Sequence, residues 1–209
     1  MSKSDSASID QIMRTAPVIP VIVIDRVDDA VPMAEALVAG GLNVLEVTLR
    51  TPAALEAISA MKKVKGAIVG AGTVLNPDML EQAIDAGSEF IVSPGLTKKL
   101  GKAAIHSGIP FLPGVANAGD IMRGLDMGLE RFKFFPAETS GGIPALKALA
   151  GPFGNIRFCP TGGIKEETAK DWLALEAVLC VGGSWVVPSG KLDPAKIEAL
   201  AKAASKIKG

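Results

Sequence analysis

The chain has 209 residues, 48% of them hydrophobic, which suits one domain with a substantial core. Lysine plus arginine equals aspartate plus glutamate at 22 each, so no global field draws the chain to nucleic acid or to an anionic membrane, and any phosphate contact has to be local. Two cysteines, Cys159 and Cys180, have no metal-site spacing and do not resemble a secreted disulfide scaffold; a reducing cytoplasm is the expected compartment.

The lead from Ser2 to Arg14 is polar, with Ile9, Ile12 and Met13 as a weak apolar side. It predicts a short helix across the bottom of the fold, with no chemistry, and divides the chain into a lead over residues 1–16 and a domain over 17–209. The apolar stretch Ala16 to Ile24 is shorter than the ~20 residues a bilayer span needs and contains Pro17 and Pro20, so neither an export signal nor a membrane anchor is expected. From there, short β-branched or aromatic segments recur at Val18 to Ile24, Val44 to Thr48, Ile68 to Gly72, Phe90 to Ser93, Phe111 to Gly114, Arg131 to Phe135, Arg157 to Pro160 and Val178 to Val181. Their centres fall roughly every 20 to 25 residues, the length of one strand, one helix and two loops.

Helical patterns fill the intervals. Asp28 precedes Ala30, Val31, Ala34, Leu37 and Val38, while Thr51-Pro52, Asn76-Pro77 and Asp193-Pro194 each read as a capping residue followed by proline in the first turn. Gly40, Gly87, Gly108 and Gly128 follow helical patterns and are expected in the left-handed conformation that ends a helix. Strands alternating with helices require parallel pairing, and eight units close most simply into a compact (β/α)8 TIM barrel of the α/β class. The alternative, an open doubly wound sheet, calls for a Gly-x-Gly-x-x-Gly fingerprint after the first strand, where this chain has Ile24-Asp25-Arg26-Val27.

In such a barrel the active site lies at the C-terminal ends of the strands. Polar residues collect there: Glu46, Thr48 and Arg50 on or after the second segment, Thr73 after a flexible Gly70-Ala71-Gly72, and Pro94 and Phe135 as walls. Thr161-Gly162-Gly163 and Gly182-Gly183-Ser184 follow the last two segments, where backbone N–H groups left uncovered by glycine suit a phosphate. Alternation in Arg131-Phe132-Lys133-Phe134-Phe135 sends Arg131, Lys133 and Phe135 inward and the other two phenylalanines outward. A lysine taken out of water without a partner favours the neutral amine, a nucleophile for ketones. Glu46, with Leu42, Val44 and Thr48 on its face, is an inward carboxylate that needs a cation such as Lys133 or Arg50. It serves either as half of a buried ion pair or as a proton shuttle. Arg50 suits two parallel hydrogen bonds to a carboxylate, which Thr73 can join; a surface pair with Glu56 is its structural alternative. His106, on a helix away from the strand ends, reads as structural, and no cluster has metal-ligand spacing.

Taken together, Glu46-Val47-Thr48-Leu49-Arg50, Gly70-Ala71-Gly72-Thr73, Ser93-Pro94-Gly95, Lys133-Phe134-Phe135-Pro136, Cys159-Pro160-Thr161-Gly162-Gly163 and Gly182-Gly183-Ser184-Trp185 resemble the 2-keto-3-deoxy-6-phosphogluconate (KDPG) aldolases, from about Pro17 to the C-terminus. The resemblance implies a class I aldolase of the Entner–Doudoroff pathway, without cofactor or metal, usually a homotrimer. Its substrate would be a phosphorylated keto acid cleaved to pyruvate and glyceraldehyde 3-phosphate, and some members also cleave 4-hydroxy-2-oxoglutarate. It implies Lys133 as the Schiff-base lysine, Glu46 as general acid and base, and Arg50 and Thr73 at the pyruvate carboxylate. Thr161, Gly162, Gly163 and Gly182 to Ser184 would lie at the far end of the substrate. The galactonate epimer stays open as substrate. Before the resemblance, a phosphate-binding barrel isomerase without a covalent intermediate and a non-catalytic phosphosugar-binding barrel also fit these residues.

Overall fold

A computed structural model describes residues 4–209 of the chain, so Ser2 and Lys3 of the expected lead lie outside the described residues. The elements in order are α1 (Ser4–Arg14), β1 (Val18–Ile22), a 3-10 turn (Val27–Asp29), α2 (Ala30–Ala39), β2 (Val44–Thr48), α3 (Ala54–Met61), β3 (Ile68–Gly72), α4 (Pro77–Asp85), β4 (Ile91–Val92) and α5 (Lys98–Ser107). They continue with β5 (Phe111–Leu112), β6 (Gly114–Val115), α6 (Ala118–Asp126), β7 (Arg131–Phe134), α7 (Gly142–Ala150), β8 (Arg157–Pro160), α8 (Glu166–Leu173), β9 (Val181–Gly183) and α9 (Pro194–Ala204).

Every strand pairing is parallel, in the orders β5-β4-β3-β2-β1-β9 and β6-β7-β8. The two arcs are one barrel. Bridges between Phe158 and Val178 and between Thr161 and Gly182 join β8 to β9. On the other side β5 and β6 are two halves of a single staircase strand, split at Pro113, which has no N–H for a ladder. Its carbonyl still accepts from the Lys133 N–H at 2.9 Å, so the strand changes partner from β4 to β7 without leaving the wall.

Period-two alternation divides the core. Leu45, Val47, Val69, Ala71, Phe132, Phe134 and Phe158 belong to the larger cluster that also holds the buried helix residues; Ile19, Val44, Phe90, Val92, Leu112, Cys159 and Cys180 form a second, smaller one. Ile9, Ile12 and Met13 of α1 enter that second cluster, so the helix plugs the end of the barrel where the strands begin. Its Asp10 carboxylate accepts from Arg14 and from Arg131, the first residue of β7. Burial works against the Asp10 charge, but the hydrogen bonds and charges of the two arginines outweigh it and hold the carboxyl below the usual carboxylate range.

The expected strand bounds hold for β2, β3 and β8, whereas the last strand starts at Val181 rather than ending there. Asn76 and Asp193 cap α4 and α9 by accepting from the N–H groups of Met79 and Lys196. The caps expected from Asp28 and Thr51 are not formed: α2 is entered through the 3-10 turn with Asp29 at its N-cap, and the Thr51 hydroxyl instead donates to the Ile24 carbonyl. Gly87, Gly108 and Gly128 have left-handed φ angles as expected, but Gly40 does not, because Gly41 carries the turn with φ 92°. Gly40 is needed for space, since a Cβ there would stand 2.4 Å from the Ala201 Cβ and 2.8 Å from the Glu198 carbonyl oxygen of α9.

Candidate active site

Counting round the wall, β2 and β7 lie four strands apart in a barrel of eight, so an inward residue on one faces an inward residue on the other across the interior. Glu46 and Lys133 take those places. Lys133 Nζ donates to Glu46 Oε1 at 2.9 Å and lies 3.3 Å from Oε2, and both residues are almost fully buried, 5% and 3% exposed. The Lys133 ammonium is also 5.4 Å from the centre of the Phe135 ring, within range of a cation–π contact. Phe132 and Phe134 point outward, as alternation requires: Phe132 fills the space over Gly124, and Phe134 packs on Trp172. The expected ion pair is therefore present, buried inside the barrel.

Just above the pair the chain turns to polar and strained residues. The Thr48 hydroxyl donates to the Ile22 carbonyl at 2.8 Å and accepts from Arg50 Nε at 3.2 Å. That leaves the Arg50 guanidinium NH₂ groups unengaged by Thr48 and exposed; among the described residues Arg50 makes no ion pair, so the Glu56 alternative is not realised. Thr73 is half-buried with φ 61°, the one non-glycine residue in the left-handed region among those described. A β-branched residue is costly there, of order 1–3 kcal/mol, and such strain gathers at functional sites. Pro94 is half-buried beside it, its loop held by the Ser93 hydroxyl donating to the Gly95 carbonyl at 2.7 Å.

Gly162 and Gly163 follow β8 with φ angles of 103° and 82°, a pair of conformations that only glycine adopts freely. Neither N–H has a backbone partner among the described residues, while the Gly162 carbonyl accepts from the Glu138 N–H at 3.1 Å and fixes the turn. Ser184 is the first residue after β9 and is exposed. Gly182 and Gly183 sit inside β9 rather than in the loop beyond it, paired with Ile19 and Pro20 of β1. Their missing side chains make room for others: a Cβ on Gly182 would meet Thr161 Oγ1 at 2.2 Å, and one on Gly183 would meet the Trp185 ring at 2.1 Å. Arg50 and Ser184 line one cleft of about 680 Å³ with Val21, Val23, Arg26 and Lys191, a volume that suits a small ligand, and Val21 is the register partner of Glu46.

Thr48 was not singled out by sequence reasoning as a support for Arg50; its inward position beside Arg50 was the available signal. Cys159 and Cys180 are buried free thiols, and Cys159 Sγ lies 3.8 Å from Thr161 Oγ1. The neighbouring Cys159 thiol, then burial, then the charges of Cys159 and Glu46 push the Cys180 thiol well up, so it is a poor nucleophile. His106 is exposed in the last turn of α5. Among the described residues no group of three or more His, Cys, Asp or Glu side chains has the arrangement of a metal site, and no helix is long and apolar enough to cross a membrane.

Residues 9–202 match the family model for KDPG and KHG aldolases. The chain belongs to that family. It is 66% identical over 200 residues to a 2-dehydro-3-deoxy-phosphogluconate aldolase of Zymomonas mobilis, covering 96% of each chain. The crystal structure of the 2-keto-3-deoxy-6-phosphogluconate aldolase of Zymomonas mobilis ZM4 with 3-phosphoglycerate superposes with a TM-score of 0.96 at 65% identity, covering 97% of both chains. A KDPG aldolase from Legionella pneumophila, with pyruvate captured at low pH as a covalent carbinolamine, superposes with a TM-score of 0.92 at 46% identity, covering 95% of this chain and 98% of that one. The barrel and the aldolase family expected from the sequence are thus both borne out.

Proposed function

We propose that this chain is a class I aldolase that cleaves 2-dehydro-3-deoxy-6-phospho-D-gluconate to pyruvate and D-glyceraldehyde 3-phosphate, with 4-hydroxy-2-oxoglutarate as a second substrate split to pyruvate and glyoxylate. The observation that carries the reading is the buried contact of Lys133 Nζ with Glu46 at 2.9 Å, in a chain of the KDPG and KHG aldolase family. The covalent carbinolamine that pyruvate forms in the Legionella relative supports the same chemistry here.

In the resting pair the proton lies between two groups within hydrogen-bond reach, and its transfer from Nζ to the carboxylate leaves a neutral amine and a neutral carboxyl. The amine attacks the C2 ketone; the carboxyl returns its proton to the C2 oxygen, the attacking nitrogen gives up a second through Glu46, and that oxygen leaves as water with the iminium remaining on Lys133. Glu46 then takes the proton of the C4 hydroxyl as the C3–C4 bond breaks, its electron pair flowing into the iminium to give an enamine. Glyceraldehyde 3-phosphate departs, Glu46 returns the proton to C3, and hydrolysis of the imine releases pyruvate. Arg50, oriented by Thr48, and Thr73 hold the pyruvate carboxylate, and Pro94 and Phe135 wall the pocket against water. Thr161, the uncovered N–H groups of Gly162 and Gly163, and Ser184 take the phosphate, with Gly182 and Gly183 shaping that end. A homotrimer and a cytoplasmic location complete the reading, the first resting on the family resemblance and the second on two free thiols. Sedimentation of a species three times the 21.5 kDa chain mass checks the trimer.

The deciding experiment is borohydride reduction in the presence of pyruvate, followed by peptide mass mapping. The added mass is expected on Lys133 and absent from Lys133→Arg, whose guanidinium stays protonated and forms no imine. An unlabelled Lys133 would return the site to the isomerase or the non-catalytic reading. Parallel cleavage assays on the gluconate and galactonate epimers fix the sugar, with the gluconate expected to turn over faster.

A further inference from the structure

The inner face of β3 is bare. By alternation Ile68, Gly70 and Gly72 point into the barrel while Val69 and Ala71 point out, and both inward positions above Ile68 are glycine. The sequence alone reads Gly70-Ala71-Gly72 as a flexible approach to Thr73, but the structure holds all three in a fully paired strand, in register with Glu46, Val47 and Thr48 of β2. Neither Gly70 nor Gly72 has a left-handed φ, so backbone freedom does not explain them. Space does. A Cβ on Gly70 would stand 2.5 Å from the Phe90 ring. One on Gly72 would stand 2.3 Å from Glu46 Oε1, 2.7 Å from Cγ and 2.9 Å from Cδ.

We infer that Gly72 is a positioning residue for the proton-transfer step, because the volume of its missing side chain is the seat of the Glu46 carboxylate. Carbon contacts are comfortable only at roughly 3.5 Å and beyond, so a methyl group at position 72 displaces the carboxylate by about 1 Å. Oε1, the oxygen nearest that methyl group, is also the one that meets Lys133 Nζ at 2.9 Å. The backbone tolerates the change, since the atoms in conflict belong to the mobile end of a side chain rather than to a neighbouring strand. The fold therefore survives and the chemistry does not. A misplacement of this size lowers rates by about 100-fold. The inference rests on the proposed role of Glu46 as the proton carrier at C3, and it adds a residue that touches neither substrate nor lysine.

The test uses the parent, Gly72→Ala, Glu46→Ala and the double variant, with Glu46→Gln as a control on the reading beneath. Two quantities are followed: the fraction of Lys133 trapped by borohydride once pyruvate has equilibrated, and the rate of deuterium exchange at the pyruvate methyl. Gly72→Ala is expected to reach a trapped fraction within a few-fold of the parent, since a misplaced proton carrier changes how fast the imine forms and not how much of it forms, and to exchange about 100-fold more slowly. Alanine at position 46 removes all three atoms that the methyl group would meet, so adding Gly72→Ala to Glu46→Ala is expected to change the residual exchange by less than about three-fold. Parental exchange in Gly72→Ala, or losses that multiply in the double variant, would overturn the role of Gly72 while leaving Glu46 as the shuttle. Parental exchange in Glu46→Gln would remove the shuttle itself.

Discussion

Replacing Lys133 by methionine tests what the buried pair contributes to the fold apart from catalysis. Methionine keeps most of the aliphatic stem and its packing but removes the ammonium, leaving the 3%-exposed carboxylate of Glu46 without its partner. Breaking a buried pair from one side costs about 3–5 kcal/mol, because the surviving charge stays desolvated and uncompensated. Against a total stability of about 5–15 kcal/mol that is roughly a fifth or more, and for a chain of this length it lowers the melting temperature by about 6–20 °C. Removing both charges is a different perturbation: Lys133→Met with Glu46→Leu exchanges the pair for apolar groups of similar size and is expected to match or exceed the parent by up to ~4 kcal/mol. Urea unfolding at pH 7 measures the parent, Lys133→Met, Glu46→Leu and the double variant, with the slope m checked for constancy so that a shifted midpoint means a shift in stability. A Lys133→Met protein as stable as the parent, or single effects that simply add in the double variant, would show that the two groups are not coupled as the 2.9 Å contact requires.

Two further outcomes follow from the plug and from the helix ends. The Asp10 carboxyl is held below its ordinary range in the folded state, so between that lowered value and the ordinary one the unfolded chain binds more protons and stability rises with pH. Asp10→Asn should therefore cost roughly 1–2 kcal/mol at neutral pH, a gap that closes as pH falls below about 4 and that urea midpoints against pH would follow. Gly40→Ala forces a Cβ against the backbone of α9 and is expected to destabilise by about 1–3 kcal/mol, whereas Gly128→Ala meets nothing within 4 Å and carries only the strain of its φ of 79°, about 1 kcal/mol. Equal thermal shifts in the two variants would mean that α2 and α9 have room to part.

The barrel was legible because its grammar is local. Alternation, capping residue followed by proline, and glycine after a helix each depend on a few neighbouring residues, and Asn76, Asp193, Gly87, Gly108 and Gly128 behave accordingly. Thr51 and Gly40 do not, for a reason that is not local: the Thr51 hydroxyl is claimed by a carbonyl of the β1 loop, and Gly40 is fixed by the approach of α9. The last strand was misplaced on the same ground. Two glycines read as a turn when nothing says that Thr161 and Trp185 lie over them, and the apolar run Val178 to Val181 continues the strand pattern without revealing where pairing to β1 begins.

The meeting of Lys133 with Glu46 belongs to neither kind. Alternation sends each inward, and the barrel's strand order sets them opposite, so two local readings and one topological count suffice to bring together residues 87 positions apart. What those steps leave out is the height at which each head group stops. That height is set by what fills the interior below and beside it: the Cys159 and Cys180 thiols, the Phe90 ring over Gly70, and the vacant inner face at Gly72. Several of the chain's interior glycines are thus moulds for other side chains, and a change at one of them should be felt at the group it seats rather than in the local backbone. The trapped fraction and the exchange rate proposed for Gly72→Ala separate these outcomes, because a backbone effect would lower the equilibrium imine and the methyl exchange together.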